Sequence, residues 1–438
     1  MEIFLKLATN PALIAVLLLC VLCLKKINVL LAIIISTIMA GLLSGMGIKS
    51  IMDTFISGMG GNSETALSYI LLGAFAATMA HSGFTDIISN KISQIVAEKK
   101  FILLGLLTLI AMASQNIIPI HIAFIPIVIP PLLSTMNKLQ IDRRAVASVL
   151  AFGLKMPYIA IPAGFGLIFQ NLIADNLIQN GVIVARNEIW KSTLILGVGM
   201  TVALLIAVMV SYKKPRIYEE KNVVNNPCVS TSLEFKHYVV ILAAISTFVV
   251  QLLTQSLPLG ALVGLGIIFS CRVIPQEKMD HMMNEGIYLM GYVAFVMLVA
   301  AGFADVLKQT GAIDSLVNTI LTIIPDGILI TSFIILILGL FITIGIGTSF
   351  GTIPILAVLF IPICVKLGFN TQQMIILLAA AAALGDAGSP ASDTTLGPTA
   401  GLNADGQHNH IYDTCIPTFL HYNTALIIFA LIGIWLFS

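Results

Sequence analysis

The chain has 438 residues, 58% of them hydrophobic and only 10% charged, with a mean hydropathy of +1.02 and a formal net charge of +1. That composition excludes an ordinary soluble domain and points to a polytopic membrane protein. The near-zero charge leaves no basic footprint for nucleic acid. The six scattered cysteines imply no disulfide framework, and Cys20-x-x-Cys23 lies in an apolar run with no histidine beside it.

Residues 1–24 carry Glu2 as well as Lys6, lack a small-residue cleavage site and are followed by Lys25 and Lys26. This predicts a first transmembrane helix with its N terminus outside, not a signal peptide. Apolar stretches at about 10–24, 27–48 and 67–80 predict scaffold helices within residues 1–80. At 84–100, Phe84, Ile87, Ile88, Ile92, Ile95 and Val96 oppose Asp86, Asn90, Lys91 and Lys99, the pattern of an interfacial amphipathic helix. Residues 101–134 would make a helix of about 50 Å, too long for one crossing of a roughly 30 Å core. A hairpin is therefore predicted, with polar Ser114-Gln115-Asn116-Ile117-Ile118-Pro119 at its tip.

Lys138, Arg143 and Arg144 mark a cytoplasmic side. The segment 145–171 is interrupted at Lys155-Met156-Pro157 and Pro162-Ala163-Gly164, predicting a broken helix. An outside loop at 173–189 and a helix at 190–211 follow. Lys213, Lys214, Arg216 and Lys221 then open a polar linker, 212–237, expected in the cytoplasm of a cell with a bacterial-type inner membrane.

Residues 238–438 repeat the plan of 1–211. Ser82-Gly83-Phe84-Thr85-Asp86 through Asn90 and Ile92 aligns with Thr310-Gly311-Ala312-Ile313-Asp314 through Asn318 and Ile320. Scaffold helices are expected at 238–301, an interfacial helix at 312–325, a hairpin at 327–366 broken at Gly345 to Gly351, a broken helix at 371–397 and a last helix at 413–437. The interfacial segment is basic in the first half and acidic in the second, as inverted halves require. The expected fold is an all-α polytopic membrane protein of two inverted repeats, each with a re-entrant hairpin and a broken transmembrane helix.

The second break, Leu384-Gly385-Asp386-Ala387-Gly388-Ser389-Pro390-Ala391-Ser392-Asp393-Thr394-Thr395, carries the densest chemistry. Backbone freed from helix at membrane depth must be buried in protein or line a watery cavity, and transporters use such breaks to bind ions and substrates. Asp386 and Asp393 are the only acids between Asp326 and Asp405, and each costs at least about 2.5–3.5 kcal/mol at the bilayer centre. With Ser389, Ser392 and Thr394 they suit a hard cation, a proton or a substrate amine. Asp393 alternatively caps the resuming helix. Lys155, in the corresponding place of the first half, pairs with an aspartate, holds a substrate carboxylate, replaces a cation or snorkels. Tyr158 is a substrate contact or a packing residue. His121 reads as structural, and His408 and His410 as solvated loop residues or a gating contact, with too few ligands for a metal. Without a Walker motif or an acyl-transfer triad, no enzyme activity and no cofactor are expected.

The paired hairpins and breaks resemble the ion transporter superfamily. Gly385 to Thr394, with Asp405-Gly406-Gln407-His408-Asn409-His410, is similar to the NhaC-like Na+/H+ antiporter family, and to its short bacterial members linked with amino acids. The resemblance implies a scaffold, a mobile transport domain, alternating access, Na+ or H+ as coupling ion, and often a homodimer. It places ions at Ser114, Gln115, Asn116, Gly347, Thr348 and Ser349, next to Asp386 and Ser392, the ion ligands read from the break itself. The expected contacts of a small ion or zwitterion are Asn116, Lys155, Tyr158, Asp386, Ser389, Asp393 and Thr394. Relatives often show Ser-Asn-Thr at the tips; this chain has Ser-Gln-Asn and Gly-Thr-Ser. A channel is the competing class, separated by whether uptake concentrates its solute.

Overall fold

A computed structural model describes residues 9–25, 27–83, 87, 99–116, 125–219, 234–254, 256–321, 327–346, 348–390 and 392–438. They are all-helical. The first half comprises α1 (Pro11–Leu24), α2 (Val29–Leu43), α3 (Ile48–Met59), α4 (Ser63–His81), α5 (Lys100–Asn116), α6 (Ile125–Lys138), α7 (Arg143–Ala160), α8 (Phe165–Gln179) and α9 (Ile189–Ile206, continuing in π form to Ser211). The second comprises α10 (Phe235–Thr254), α11 (Leu257–Ser270), α12 (Met279–Gln309), α13 (Ala312–Leu321), α14 (Ile328–Ile346), α15 (Ser349–Lys366), α16 (Thr371–Ala383), α17 (Asp393–Leu402) and α18 (His410–Leu436, opening in π turns). Among the described residues, five helices are long and apolar enough to cross a membrane, and α7–α8 forms a sixth span bent by 47°.

The same packing recurs in both halves. The arm α5 lies on α7, as α14 lies on α16. Across the halves the pattern is exchanged: α8 packs on α15, and α17 on α6. Small residues allow this closeness. A Cβ on Gly153 of α7 would sit 2.3 Å from Ala111 of α5, and one on Gly339 of α14 would sit 2.7 Å from Ala381 of α16.

Several boundaries differ from the sequence reading. The run 27–48 is two elements, because Gly45 turns the chain at φ +79° and α3 begins at Ile48. Ile51, Phe55 and Gly58 form the buried stripe of α3, which packs on α12. Helix α12 runs to Gln309, past the expected end at 301, since Gly302 lets it lie on Phe55. The expected loop at 173–189 is helical up to Gln179. Its polar residues are satisfied within the fold: Asn176 donates to the Leu172 carbonyl at 2.9 Å and Asp175 pairs with Arg186 at 2.6 Å, until Gly181 at φ +83° ends the turn. The last helix starts at His410, earlier than 413, because the Asn409 side chain accepts from the Ile411 and Tyr412 amides.

Helix α13 has the expected amphipathic form, with Ala312, Ile313 and Leu316 buried and Ser315 and Asn318 exposed. Most of the interfacial segment 84–100, His121 with the rest of 117–124, Gly347, and linker residues 220–233 lie outside the described residues.

Candidate functional site

Both spans break where the sequence places glycine. In the first, α7 ends at Ala160, Ile161 is extended, and Gly164 adopts φ +57°. A Cβ there would lie 2.5 Å from the Gln115 carbonyl, so only glycine lets the break touch the end of α5. In the second, Gly385 adopts φ +77°, and its Cβ would meet the Ile344 amide and the Leu340 carbonyl of α14, each at 2.7 Å. Gly385→Ala should therefore cost about 1–2 kcal/mol for the left-handed backbone and about 1–3 kcal/mol for overpacking. Thermal unfolding of the purified variant measures this, and an unchanged melting temperature would contradict it.

The two breaks face each other across Asp386. Its Oδ2 accepts from Lys155 Nζ at 3.0 Å, Tyr158 OH at 3.0 Å and Ser349 Oγ at 2.7 Å. Its Oδ1 accepts a short hydrogen bond from Ser392 Oγ. The Lys155 and Asp386 side chains are 0% and 4% exposed, so this is a buried ion pair joining the halves. Such a pair persists only where further hydrogen bonds satisfy it, and here three hydroxyls do so. Phe350, beside Ser349, is ringed by Tyr69, Tyr158 and Phe169 at centroid distances of 5.1–5.6 Å, which keeps this side of the pair apolar.

Among the ion and substrate candidates, the structure gathers Lys155, Tyr158, Ser349, Asp386, Ser392 and Thr394. Thr394 Oγ1 lies 2.8 Å from Ser392 Oγ and donates to the Asp386 carbonyl at 3.2 Å. Asn116 touches the first break, donating from Nδ2 to the Pro157 carbonyl at 3.2 Å. Its Oδ1 is buried without a partner among the described residues. Asn116 and Ser349 thus meet adjacent residues of α7. Asp393 stays beside this cluster, its Oδ1 accepting from Ser392 Oγ at 3.4 Å. Ser114 Oγ donates to its own helix at Ala111, Gln115 is buried in the last turn of α5, and Thr348 precedes α15 as its N-cap. Ser389 Oγ reaches the Ile344 carbonyl at 3.3 Å. Asp393 is half-buried, and the cap of α17 is Ser392, whose side chain accepts from the Thr394 amide, not Asp393.

Two groups escaped the sequence reading. Asn423 of α18 straddles the second break: its Oδ1 accepts from the Gly385 amide at 3.2 Å and its Nδ2 donates to the Ala387 carbonyl at 3.0 Å. A polar side chain in an otherwise apolar helix is the signal that finds it. Gln170 of α8 is buried and donates to the Ile159 carbonyl at 3.4 Å. His410 is no isolated loop residue. Its Nε2 donates to the Pro390 carbonyl at 3.0 Å, and its Nδ1 lies 2.8 Å from Thr399 Oγ1. Thr399 continues through Thr414 to His408 Nε2.

At the far ends of α7 and α17, Arg143 makes a two-pronged ion pair with Asp405 at 2.7 and 2.5 Å and donates to the Leu402 carbonyl at 2.9 Å. The start of α7 is thus tied to the end of α17, while Lys155 ties α7 to the break that precedes α17. Tyr218, on the first residues of the linker, covers Arg143 at 4.3 Å.

The Na+/H+ antiporter family profile matches residues 149–434, and a second Na+-H+ antiporter profile matches 10–96. The chain belongs to the Na+/H+ antiporter family. It is 44% identical over 436 residues to an uncharacterized membrane protein of Vibrio parahaemolyticus, covering 97% of this chain and 99% of that one. It is 43% identical over 442 residues to the "Putative amino acid transporter YuiF" of Bacillus subtilis, with the same coverage. Two solved transporters share the fold: Alcanivorax borkumensis YdaH (TM-score 0.58, 12% identity, 89% of each chain) and Neisseria gonorrhoeae MtrF (TM-score 0.57, 14% identity, 88% of this chain and 84% of that one). This antiporter-family protein is a membrane transporter, not an enzyme.

Proposed function

We propose that the protein is an ion-coupled secondary transporter working by alternating access, with its site at the two breaks and the adjoining hairpin tips. The observation that carries this reading is the buried Lys155–Asp386 pair between the halves. Asp386 offers the oxygen charge a Na+ needs, but the Lys155 ammonium occupies it. A cation can take that place only if Lys155 withdraws or gives up its proton. A cation at Asp386 and a proton on Lys155 then exclude one another, which is the chemistry of Na+/H+ exchange. Ser349, Ser392 and Thr394 supply the neutral oxygens around it, and Asn116 Oδ1 adds one at the first tip.

A second reading, a Na+- or H+-coupled amino acid transporter, is favoured by the name of the Bacillus subtilis relative and by the pair itself. Lys155 and Asp386 offer one charge of each sign, complementary to a zwitterion. In everted vesicles, a Na+ pulse should discharge a preformed proton gradient under the first reading. Concentrative, gradient-dependent uptake of a labelled amino acid supports the second. Flux that never concentrates any solute, whatever the gradient, would mark a channel.

The same reading puts the membrane as bacterial inner membrane, the linker 212–237 in the cytoplasm and both termini outside. In a cysteine-free background, a single cysteine in 212–237 should resist an impermeant maleimide in intact cells and react in everted vesicles. Labelling from the outer face would reverse the topology. A homodimer is proposed by analogy with the superfamily alone.

A further inference from the structure

Helices α4 and α12 come from opposite halves and cross with almost no side chain between them. A Cβ on Gly73 would lie 2.6 Å from the Gly286 carbonyl, and one on Gly286 would lie 2.3 Å from the Ala74 amide. Beyond this crossing the helix ends carry His81 on α4, and His281 and Glu285 one turn apart on the same face of α12. His81 Nε2 lies 3.1 and 3.3 Å from the two Glu285 carboxylate oxygens, and His281 Nε2 lies 3.3 Å from one of them. The three ligand atoms all fall within 4.8 Å of one another.

We propose that His81, His281 and Glu285 form a binding site for a divalent transition ion of the Zn2+ class, clamping the two halves together. A tetrahedral ion with bonds of about 2.0–2.1 Å holds its donors about 3.3 Å apart along each edge. The two His–Glu separations match that edge, and the two imidazole nitrogens, within 4.8 Å of each other, reach it by side-chain rotation. Two imidazoles and a carboxylate are the ligand types such ions prefer, and Mg2+ and Ca2+ do not. The side chains are 41%, 60% and 37% exposed, so an ion can enter from solvent and keep water in its fourth position. Two donors come from one rigid helix and the third from a helix fixed by the glycine crossing, so little ordering remains to be done on binding.

His81 stands twelve residues, about 18 Å, along α4 from Tyr69, which packs on Phe350 beside the Asp386 pair. The metal site is near the linker's end, where His237 of α10 donates to the Ser82 carbonyl at 3.1 Å, next to His81. An ion here would fix the relation of α4 to α12 in the scaffold, not enter the transport cycle.

The test uses the full-length protein, purified in detergent with any histidine tag removed, titrated with Co2+. One Co2+ per chain with the intense visible absorption of tetrahedral coordination, displaced by Zn2+, is expected. Zn2+ should also raise the melting temperature. His81→Ala, His281→Ala and Glu285→Gln should each weaken Co2+ binding at least about tenfold, more than outer-shell changes at metal sites usually do at their mildest. Their melting temperatures without metal should match the parent's, because the three side chains are solvated. Weak octahedral cobalt absorption, or binding unchanged in all three variants, would overturn the site and leave only a His–Glu hydrogen-bonded cluster.

Discussion

Asp386→Asn is expected to abolish coupled transport and also to weaken the fold. Sequence alone suggests a stable variant, since asparagine keeps the size and most of the hydrogen bonding. The structure changes that expectation, because the Lys155 side chain is wholly buried against the carboxylate. Removing one partner leaves the ammonium unpaired in a low-dielectric interior, a loss of about 3–5 kcal/mol. Two variants separate the roles. Lys155→Met with Asp386→Asn removes both charges, so stability should recover most of what the single change lost, while transport stays absent. Lys155→Met alone should bind Na+ without releasing a proton, provided the carboxylate remains ionised. Proton release and melting temperature, measured on the same preparations, read the two effects independently. Wild-type Na+ and pH dependence in Asp386→Asn would assign the carboxylate a structural role only.

The breaks were readable from sequence because they violate the rules of an apolar helix. Lys155, the acids Asp386 and Asp393, and the prolines and glycines at 155–164 and 385–394 have no other reason to interrupt such segments. The Lys155–Asp386 pairing was one of several options, since sequence does not say which break faces which. The contacts of Ser114 and Ser389 were less accessible. A hydroxyl in a helix can bond its own preceding carbonyl, as Ser114 does with Ala111, and nothing local distinguishes that from an outward-facing ligand. Helix α3 was hidden for another reason. Residues 27–48 are uncharged and largely apolar, and Gly45 at positive φ divides the helix within them from a short amphipathic one. Asn423 and His410 act through tertiary contacts 20 or more residues away from their own positions, beyond the reach of any periodicity.

Asp405→Asn should produce the second large effect, at the other end of the same helix pair. Arg143 and Asp405 are 0% and 2% exposed in their side chains. The neutral amide cannot answer the guanidinium, and about 3–5 kcal/mol of stability should be lost at pH 7. Leu402 and Asn137 still accept from Arg143, which places the loss toward the lower end. The pH dependence has two parts with different owners. Burial pushes His408 down to about 4, with Asp413 opposing and Arg143 and Arg216 reinforcing the shift. The native state therefore binds fewer protons there than the unfolded chain, and stability falls as pH drops from about 6.5 to about 4. Burial alone would raise the Asp405 carboxyl, but Arg143 outweighs it and holds the group below the usual range. Its contribution is present above about pH 3.9 and disappears as pH falls through the lower folded value. Melting temperatures across pH 3–8 should accordingly show a first decline that His408→Gln flattens and a second that Asp405→Asn reduces but does not remove, because Asp413, which burial raises but Arg216 holds below the usual range, shares it. If Asp405→Asn melts like the parent at pH 7, the ion pair does not tie α7 to α17. The two helices would then be held by the Arg143 bond to the Leu402 carbonyl and their apolar contacts, with the Lys155–Asp386 pair joining α7 to the break before α17, so breaking that pair during transport would loosen the break and leave the helix ends in contact.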